Sequence, residues 1–273
     1  MQNAKMYKQL VFYLEACESG SMFQGLSAST NIFATTAANA DESSWGTYCP
    51  PDDIVDSKNL NTCLGDLYSV NWMENSDIKK NMGTESLQKQ FKVVQQETNK
   101  SHVCEFGDMA FDAEDIDQFQ GDVSASPALA LAEAVAGKPV RVIKASEAAA
   151  VSSRDAVLAH LRAKEMRAAP EAKAAATLAV HAELDARKRA DVAFTAMAEA
   201  TFGKALDLGA PVASYTAAAQ WDCYRGLNDA IEAACGRYTD YSLKYARVAY
   251  AMCGHTANVE AHVGTVRAAC SWN

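Results

Sequence analysis

A cysteine, Cys17, stands between two carboxylates, Glu15 and Glu18, and is followed by Ser19-Gly20-Ser21. A thiol placed this way has two uses. It packs as a small hydrophobe, or it ionises and attacks a carbonyl, holding the acyl group as a thioester. Two other groups could join such chemistry: the pair Ser43-Ser44 and the acid Asp66. On spacing alone the serines read as a turn or a helix N-cap, and Asp66 as a surface carboxylate capping a helix. The five histidines, at 102, 160, 181, 255 and 262, each read as solvated or structural.

The elements that must position these groups follow from the apolar pattern. Leu10 to Leu14 is a run expected to form a strand buried on both faces. It ends in the turn that carries Cys17, with helical pattern resuming at Ser21–Leu26. A loop at the end of a rigid strand is where a sheet protein presents chemistry. Asn31 to Thr36 reads as a second strand, and the serine pair lies in the loop after it. Cys49 and Cys63 bracket a loop rich in proline and acid. Leu87, Phe91 and Val94 fall on one face of a helix expected over Thr84–Asn99. Val103 to Phe106 reads as a strand, with Cys104 as a buried free thiol. Asn99-Lys100-Ser101 is a glycosylation sequon.

Residues 107–126 are acidic and loop-like, and 124–150 read as a linker with strand character at Val140–Ile143. From Ser152 the chain becomes alanine-rich and helical. Ser152 or Ser153 can N-cap a helix towards Arg167. Pro170 suits the first turn of a second helix reaching towards Gly203, and a third begins after Pro211. Tyr238, Tyr241, Tyr245, Val248, Ala249 and Met252 make one face of a helix near 238–253, and a last helix carries Val259, Val263, Val266 and Cys270.

Several of these strings together resemble one family. Glu15-Ala16-Cys17-Glu18-Ser19-Gly20-Ser21-Met22-Phe23 is similar to the nucleophile segment of the legumains, the asparaginyl endopeptidases or vacuolar processing enzymes (cysteine peptidase family C13). Ala34 to Asn39, Asp41 to Pro50 and Thr62 to Glu74 resemble the blocks that follow it. The likeness is close over residues 5–121 and looser over 151–273. It implies an α/β fold: a caspase-like sheet flanked by helices, its N-terminal strands missing, then an all-α, disulfide-stapled C-terminal prodomain. The expected divisions are a peptidase portion at 1–121, a linker or activation peptide at 122–150, and the prodomain at 151–273.

The resemblance also implies roles. Cys17 becomes the nucleophile, and Glu15, Ser44 and Asp66 the pocket for an asparagine side chain. An amide offers both donors and an acceptor, so carboxylates and a hydroxyl are suitable partners. Cysteine pairs Cys49–Cys63, Cys223–Cys253 and Cys235–Cys270 are implied, and Lys244 and Arg247 would dock the prodomain over an acidic cleft. The implied activity is hydrolysis after Asn, or after Asp at acidic pH, by an enzyme made as a zymogen. Its partners would be protein substrates and its own prodomain. The family's catalytic histidine would lie upstream of residue 1. The competing expectation is an inactive fragment lacking that histidine, its helical half an inhibitor or interaction module.

Composition narrows the choice. The net charge is −9, with residues 1–126 holding 8 Lys and no Arg against 19 acids. Such an acidic front argues against nucleic acid. No apolar run is long enough for a membrane span. Eight cysteines suggest an oxidising compartment, and the resemblance a vacuolar or lysosomal one. Met1–Leu10 has no signal peptide, so the sequence is expected to start inside a longer protein. No cofactor or metal is expected, since the last four cysteines contain no CxxC pair. No asparagine occurs between Asn99 and Asn228, so self-cleavage in the linker would need Asp122 or another acid.

Overall fold

The computed structural model describes residues 1–78, 83–121, 144–208 and 217–271. Two compact units divide the chain at Ala156. The strand character expected at Val140–Ile143 and the Asp122 cleavage expectation fall outside the described residues.

The first unit is built on a three-stranded sheet of order β1 (Leu10–Leu14), β2 (Ile32–Thr36), β7 (Cys104–Gly107). β1 pairs parallel with β2, Leu10 opposite Ile32 and Leu14 opposite Thr36, and β7 pairs antiparallel with β2. β2 is the central strand, and Phe33 to Thr36 are all buried. The expectation for β1 is corrected: it is a sheet edge among the described strands, and Phe12 is exposed, edge-on to Phe23. Gly107 at the end of β7 has φ +90°, and a Cβ there would meet Ile32 O at 2.1 Å, so only glycine lets the strands approach.

Helices α1 (Leu67–Asp77) and α2 (Leu87–Glu97) cover this sheet. Ser86 caps α2 by accepting from Lys89 N. Leu87, Phe91 and Val94 of α2 join Phe33, Tyr68, Val103, Phe111 and Ile116 in one core. A short helix, α3 (Asp117–Gln120), closes the unit's polar side. There Tyr13 OH donates to Gln90 Oε1 at 2.7 Å and accepts from Gln120 Nε2 at 2.8 Å. Cys104 is half-buried rather than buried, because β7 is also an edge.

A second sheet joins β3 (Trp45–Thr47) to β6 (Gly65–Asp66) on one side and β8 (Val151–Ser152) on the other. The hairpin β4 (Ile54–Val55) and β5 (Lys58–Asn59) stands in the loop closed by the Cys49–Cys63 disulfide. Ser152 and Ser153 do not cap a helix. They lie in β8 and the 3-10 turn Ser153–Asp155, where their hydroxyls have other partners.

The second unit is helical: α4 (Ala156–Arg167), α5 (Pro170–Phe202), α6 (Ala218–Cys235), α7 (Ala246–His255) and α8 (Glu260–Ala269). Pro170 opens α5, and Gly203 ends it in the left-handed conformation. Phe194, Met197, Leu227, Ile231, Val248, Met252 and Val266 form its core, stapled by Cys223–Cys253 and Cys235–Cys270. The helix expected near 238–253 begins later. Gly236 leaves α6 with φ +87°, and the Ser242 hydroxyl accepts from Thr239 N, holding a turn before the 3-10 segment Ser242–Tyr245.

Candidate active site

Cys17 leaves the end of β1 in a turn fixed by its neighbours. Glu18 has φ 50°, and its N–H donates to Glu42 O at 2.8 Å. Ser19 is fully buried and trades two hydrogen bonds with Ala38, while Gly20 N donates to Ala38 O. A Cβ on Gly20 would meet the backbone of residues 38–40 at 3.0–3.1 Å, so the turn needs a glycine to lie this close. The loop after β2 thus clamps the loop after β1.

The same loop delivers the serine pair. Cys17 Sγ lies 3.2 Å from Ser43 Oγ and 3.6 Å from Ser44 Oγ. Cys17 is half-buried and free of any disulfide, and Ser44 is buried. Ser44 immediately precedes β3, whose Gly46 pairs with Asp66 of β6. The serines therefore lead into β3, and Asp66 lies on the adjoining strand β6.

Glu15, two residues before Cys17, has one oxygen tied and one free. Oε2 accepts from Ser69 N in the first turn of α1 at 2.8 Å. Oε1 is buried with no hydrogen-bond partner. Burial pushes the Glu15 carboxyl up to about 7; the Ser69 bond opposes this, and the nearby Asp66 charge adds to it. Loss of solvent also holds Asp66 above the usual carboxylate range. Two acids with raised protonation ranges and one unsatisfied acceptor are suited to receiving a polar side chain.

The site is covered. β8 pairs with β3 beside it, Trp45 opposite Ser152 and Gly46 opposite Val151, and Ser153 N donates to Ser44 O at 2.9 Å. Ser152 Oγ lies 2.9 Å from Ser43 Oγ, and Ser153 Oγ lies 2.9 Å from Ser44 Oγ. Arg154 forms an ion pair with Glu18. Sequence reasoning gave Ser152 or Ser153 as the N-cap of a helix running towards Arg167. Nothing in their local pattern signalled a partner more than a hundred residues away.

The histidines lie elsewhere. His102 bonds Glu42 through Nδ1 at 2.9 Å, and no histidine is hydrogen-bonded to Cys17 among the described residues. His262 is buried in α8 beside Cys223 and Cys253, its Nε2 3.1 Å from Thr256 O. Lys244 lies 4.0 Å from Asp191 and over the Tyr241 ring, and Arg247 donates to Leu208 O, so both have partners inside the helical unit. Asn99 is exposed in the turn after α2, while the sequon's Ser101 donates to Ala37 O. Among the described residues no helix is long and apolar enough to cross a membrane.

A free thiol at a strand end, clamped by a second loop, and a separate helical, disulfide-stapled unit later in the chain are the parts a two-part thiol peptidase needs. The model of the peptidase C13 family matches residues 1–122, and that of the legumain prodomain matches residues 179–270. The chain belongs to the legumain family of C13 cysteine peptidases. A vacuolar-processing enzyme of Vicia sativa is 39% identical over 254 residues, covering 88% of this chain and 50% of its own length. The delta-isozyme of Arabidopsis thaliana is 32% identical over 284 residues, 99% of this chain and 59% of the relative. A Glycine max relative is 48% identical over a shorter stretch of 123 residues, 42% of this chain and 25% of the relative. This chain spans about half the length of the curated relatives it matches.

Proposed function

We propose that this chain is the thiol-bearing and prodomain portion of a zymogen that cleaves peptide bonds after asparagine, and after protonated aspartate. The observation that carries this is a free Cys17 thiol two positions after Glu15, whose second oxygen is buried and unsatisfied. The Cys17 sulfur would attack the carbonyl carbon, and the C–N bond would break to leave a thioester and an amine. Water would then hydrolyse the thioester. The leaving amine needs a proton, which the proposal assigns to a histidine supplied from outside these 273 residues.

Specificity would come from Glu15, Ser44 and Asp66. The free Glu15 oxygen accepts from the amide NH2, and below about pH 7 its protonated form can also donate to a side-chain carbonyl. An apolar side chain would leave that buried carboxyl unpaired, which is costly. The segment 151–154 would keep the enzyme latent, because it occupies the edge of β3 and engages both serines. Residues 152 and 153 are serines, which suits a cover rather than a cleavable substrate. Removal at acidic pH fits the Arg154–Glu18 pair, since protonating Glu18 removes half of it. Further docking through Lys244 and Arg247, glycosylation at Asn99 and residence in a vacuole belong to the same proposal.

A second reading has a specific observation in its favour: no described histidine is bonded to Cys17, so this chain alone would be an inactive fragment. An Ala-Ala-Asn fluorogenic peptide at pH 5 separates the two. Release that is abolished by alkylating Cys17 supports the enzyme; no release from this chain, nor from an upstream-extended version, supports the fragment. Mass spectrometry of acid-treated protein tests processing: a cut after a non-acidic residue within 122–150 would refute self-cleavage.

A further inference from the structure

Two serine hydroxyls lie next to the Cys17 sulfur, and each also meets a serine of the covering segment. Ser43 Oγ is 3.2 Å from Cys17 Sγ and 2.9 Å from Ser152 Oγ, and it donates to Ser44 O at 2.8 Å. Ser44 Oγ is 3.6 Å from the sulfur and 2.9 Å from Ser153 Oγ. Each hydroxyl has a single proton to give. A neutral thiol can donate to Ser43 Oγ while the serine's own proton goes to Ser44 O. A thiolate can only accept, so it is stabilised only when the serine protons turn towards it.

We infer that Ser43 and Ser44 are positioning residues for the Cys17 thiolate, and that Ser152 and Ser153 compete with the sulfur for these two hydroxyls, holding them turned away from it. The cover then acts chemically as well as by obstruction. While β8 is seated, Ser43 gives its proton to Ser44 O and accepts from Ser152, Ser44 is engaged with Ser153, and the sulfur keeps its own proton. When the segment leaves, both hydroxyls turn to the sulfur, and the Cys17 proton passes to solvent. The other charged groups around the turn stay in place in this switch: Glu15 on Ser69 N, Asp66 on β6, and Glu42 with His102. The Glu18–Arg154 pair belongs to the cover.

This rests on the reading of Cys17 as nucleophile, yet its test needs no turnover. Iodoacetamide alkylation of the full chain, disulfides intact, is followed from pH 5 to 9, with peptide mass spectrometry separating Cys17 from Cys104. The double substitution Ser152→Ala/Ser153→Ala leaves the backbone pairing of β8 available and removes the competing hydroxyls. It should lower the pH of half-maximal Cys17 alkylation by about half a unit or more. Adding Ser43→Ala should reverse that fall, and Ser43→Thr, which keeps a hydroxyl, should preserve it. A cover that only obstructs would raise the rate equally at every pH. That result, or an unchanged midpoint on adding Ser43→Ala, overturns the inference. Should the Ser43→Ala chain not fold, the Ser43→Thr and Ser152→Ala/Ser153→Ala midpoints decide it alone. Reporter cleavage tests the nucleophile reading separately, so either can fail without the other.

Discussion

Glu15 Oε2 accepts a hydrogen bond from Ser69 N at 2.8 Å, while its second oxygen is buried without a partner. Burial dominates the balance, and the carboxyl is pushed up to about 7 from its ordinary 4.5. A carboxyl raised on folding leaves stability intact below its unfolded range and costs stability as pH rises through its folded value. Glu15→Gln keeps the acceptor for Ser69 and removes the buried charge. The variant should match the parent at pH 4.5 and exceed it at pH 8 by roughly 1–3 kcal/mol. Thermal melts at the two pH values check this; a difference independent of pH would show that Glu15 carries no buried charge.

Glu42 and His102 hold the loop behind Cys17. The Glu42 carboxylate accepts from Asn39 N at 2.9 Å and from His102 N at 2.7 Å, and Oε2 meets the His102 ring at 2.9 Å. Burial acts to raise the Glu42 carboxyl, but these bonds outweigh it and hold it below the usual range. The same carboxylate raises the exposed His102 imidazole. Glu42 gives its stability above its unfolded pKa, and His102 gives its own below its unfolded pKa. The pair is therefore complete between about pH 4.5 and 6.5 and fades on either side. His102→Gln should lower the melting temperature at pH 5.5 and change it little at pH 8.5. Equal losses at both would mean the ring acts without its charge.

Asp191 on α5 organises the tyrosine face of the helical unit. It accepts from Tyr241 OH at 2.9 Å and Tyr245 OH at 2.6 Å, and Lys244 lies 4.0 Å away. Asp191→Ala removes the carboxylate that accepts from two half-buried hydroxyls and should cost about 1–3 kcal/mol. Asp191→Asn should cost less, since its carbonyl still accepts. If Lys244 has a docking role, neither substitution removes its charge, so only Lys244→Ala should weaken association of the halves. Chemical denaturation and a pull-down separate the two effects.

Legibility in the sequence followed the range of the interactions. The strands around 10–14 and 32–36, the α2 face of Leu87, Phe91 and Val94, and the Pro170–Gly203 helix limits were visible because local pattern sets them. The exposure of Phe12 was not, because it depends on how many strands flank β1. Spacing alone left the pairing of the last four cysteines open; the family resemblance was needed to choose. Cys17, Glu15, Ser44 and Asp66 could be singled out from the stretches that resemble the family, but their mutual placement needed the register of β3 against β6. The engagement of Ser43 and Ser44 by Ser152 and Ser153 was invisible for the same reason: a two-residue strand such as β8 has no periodicity to read.

Arg154 reaches from the covering segment to Glu18, the residue after Cys17, and both side chains are largely shielded from solvent. A shielded pair of this kind holds more strongly than an exposed one, because solvent screens it less. Breaking it should loosen the segment without touching the serine contacts. Arg154→Ala should raise the alkylation rate of Cys17 about tenfold near neutral pH, the change expected for a contact worth about 1.4 kcal/mol. Glu18→Gln should do the same, and the double variant should add little to either, since both remove one interaction. Lowering the pH until Glu18 is protonated should erase the difference between Arg154→Ala and the parent. Additive effects in the double variant, or a gap that persists in acid, would show that Arg154 restrains the cover through some other contact.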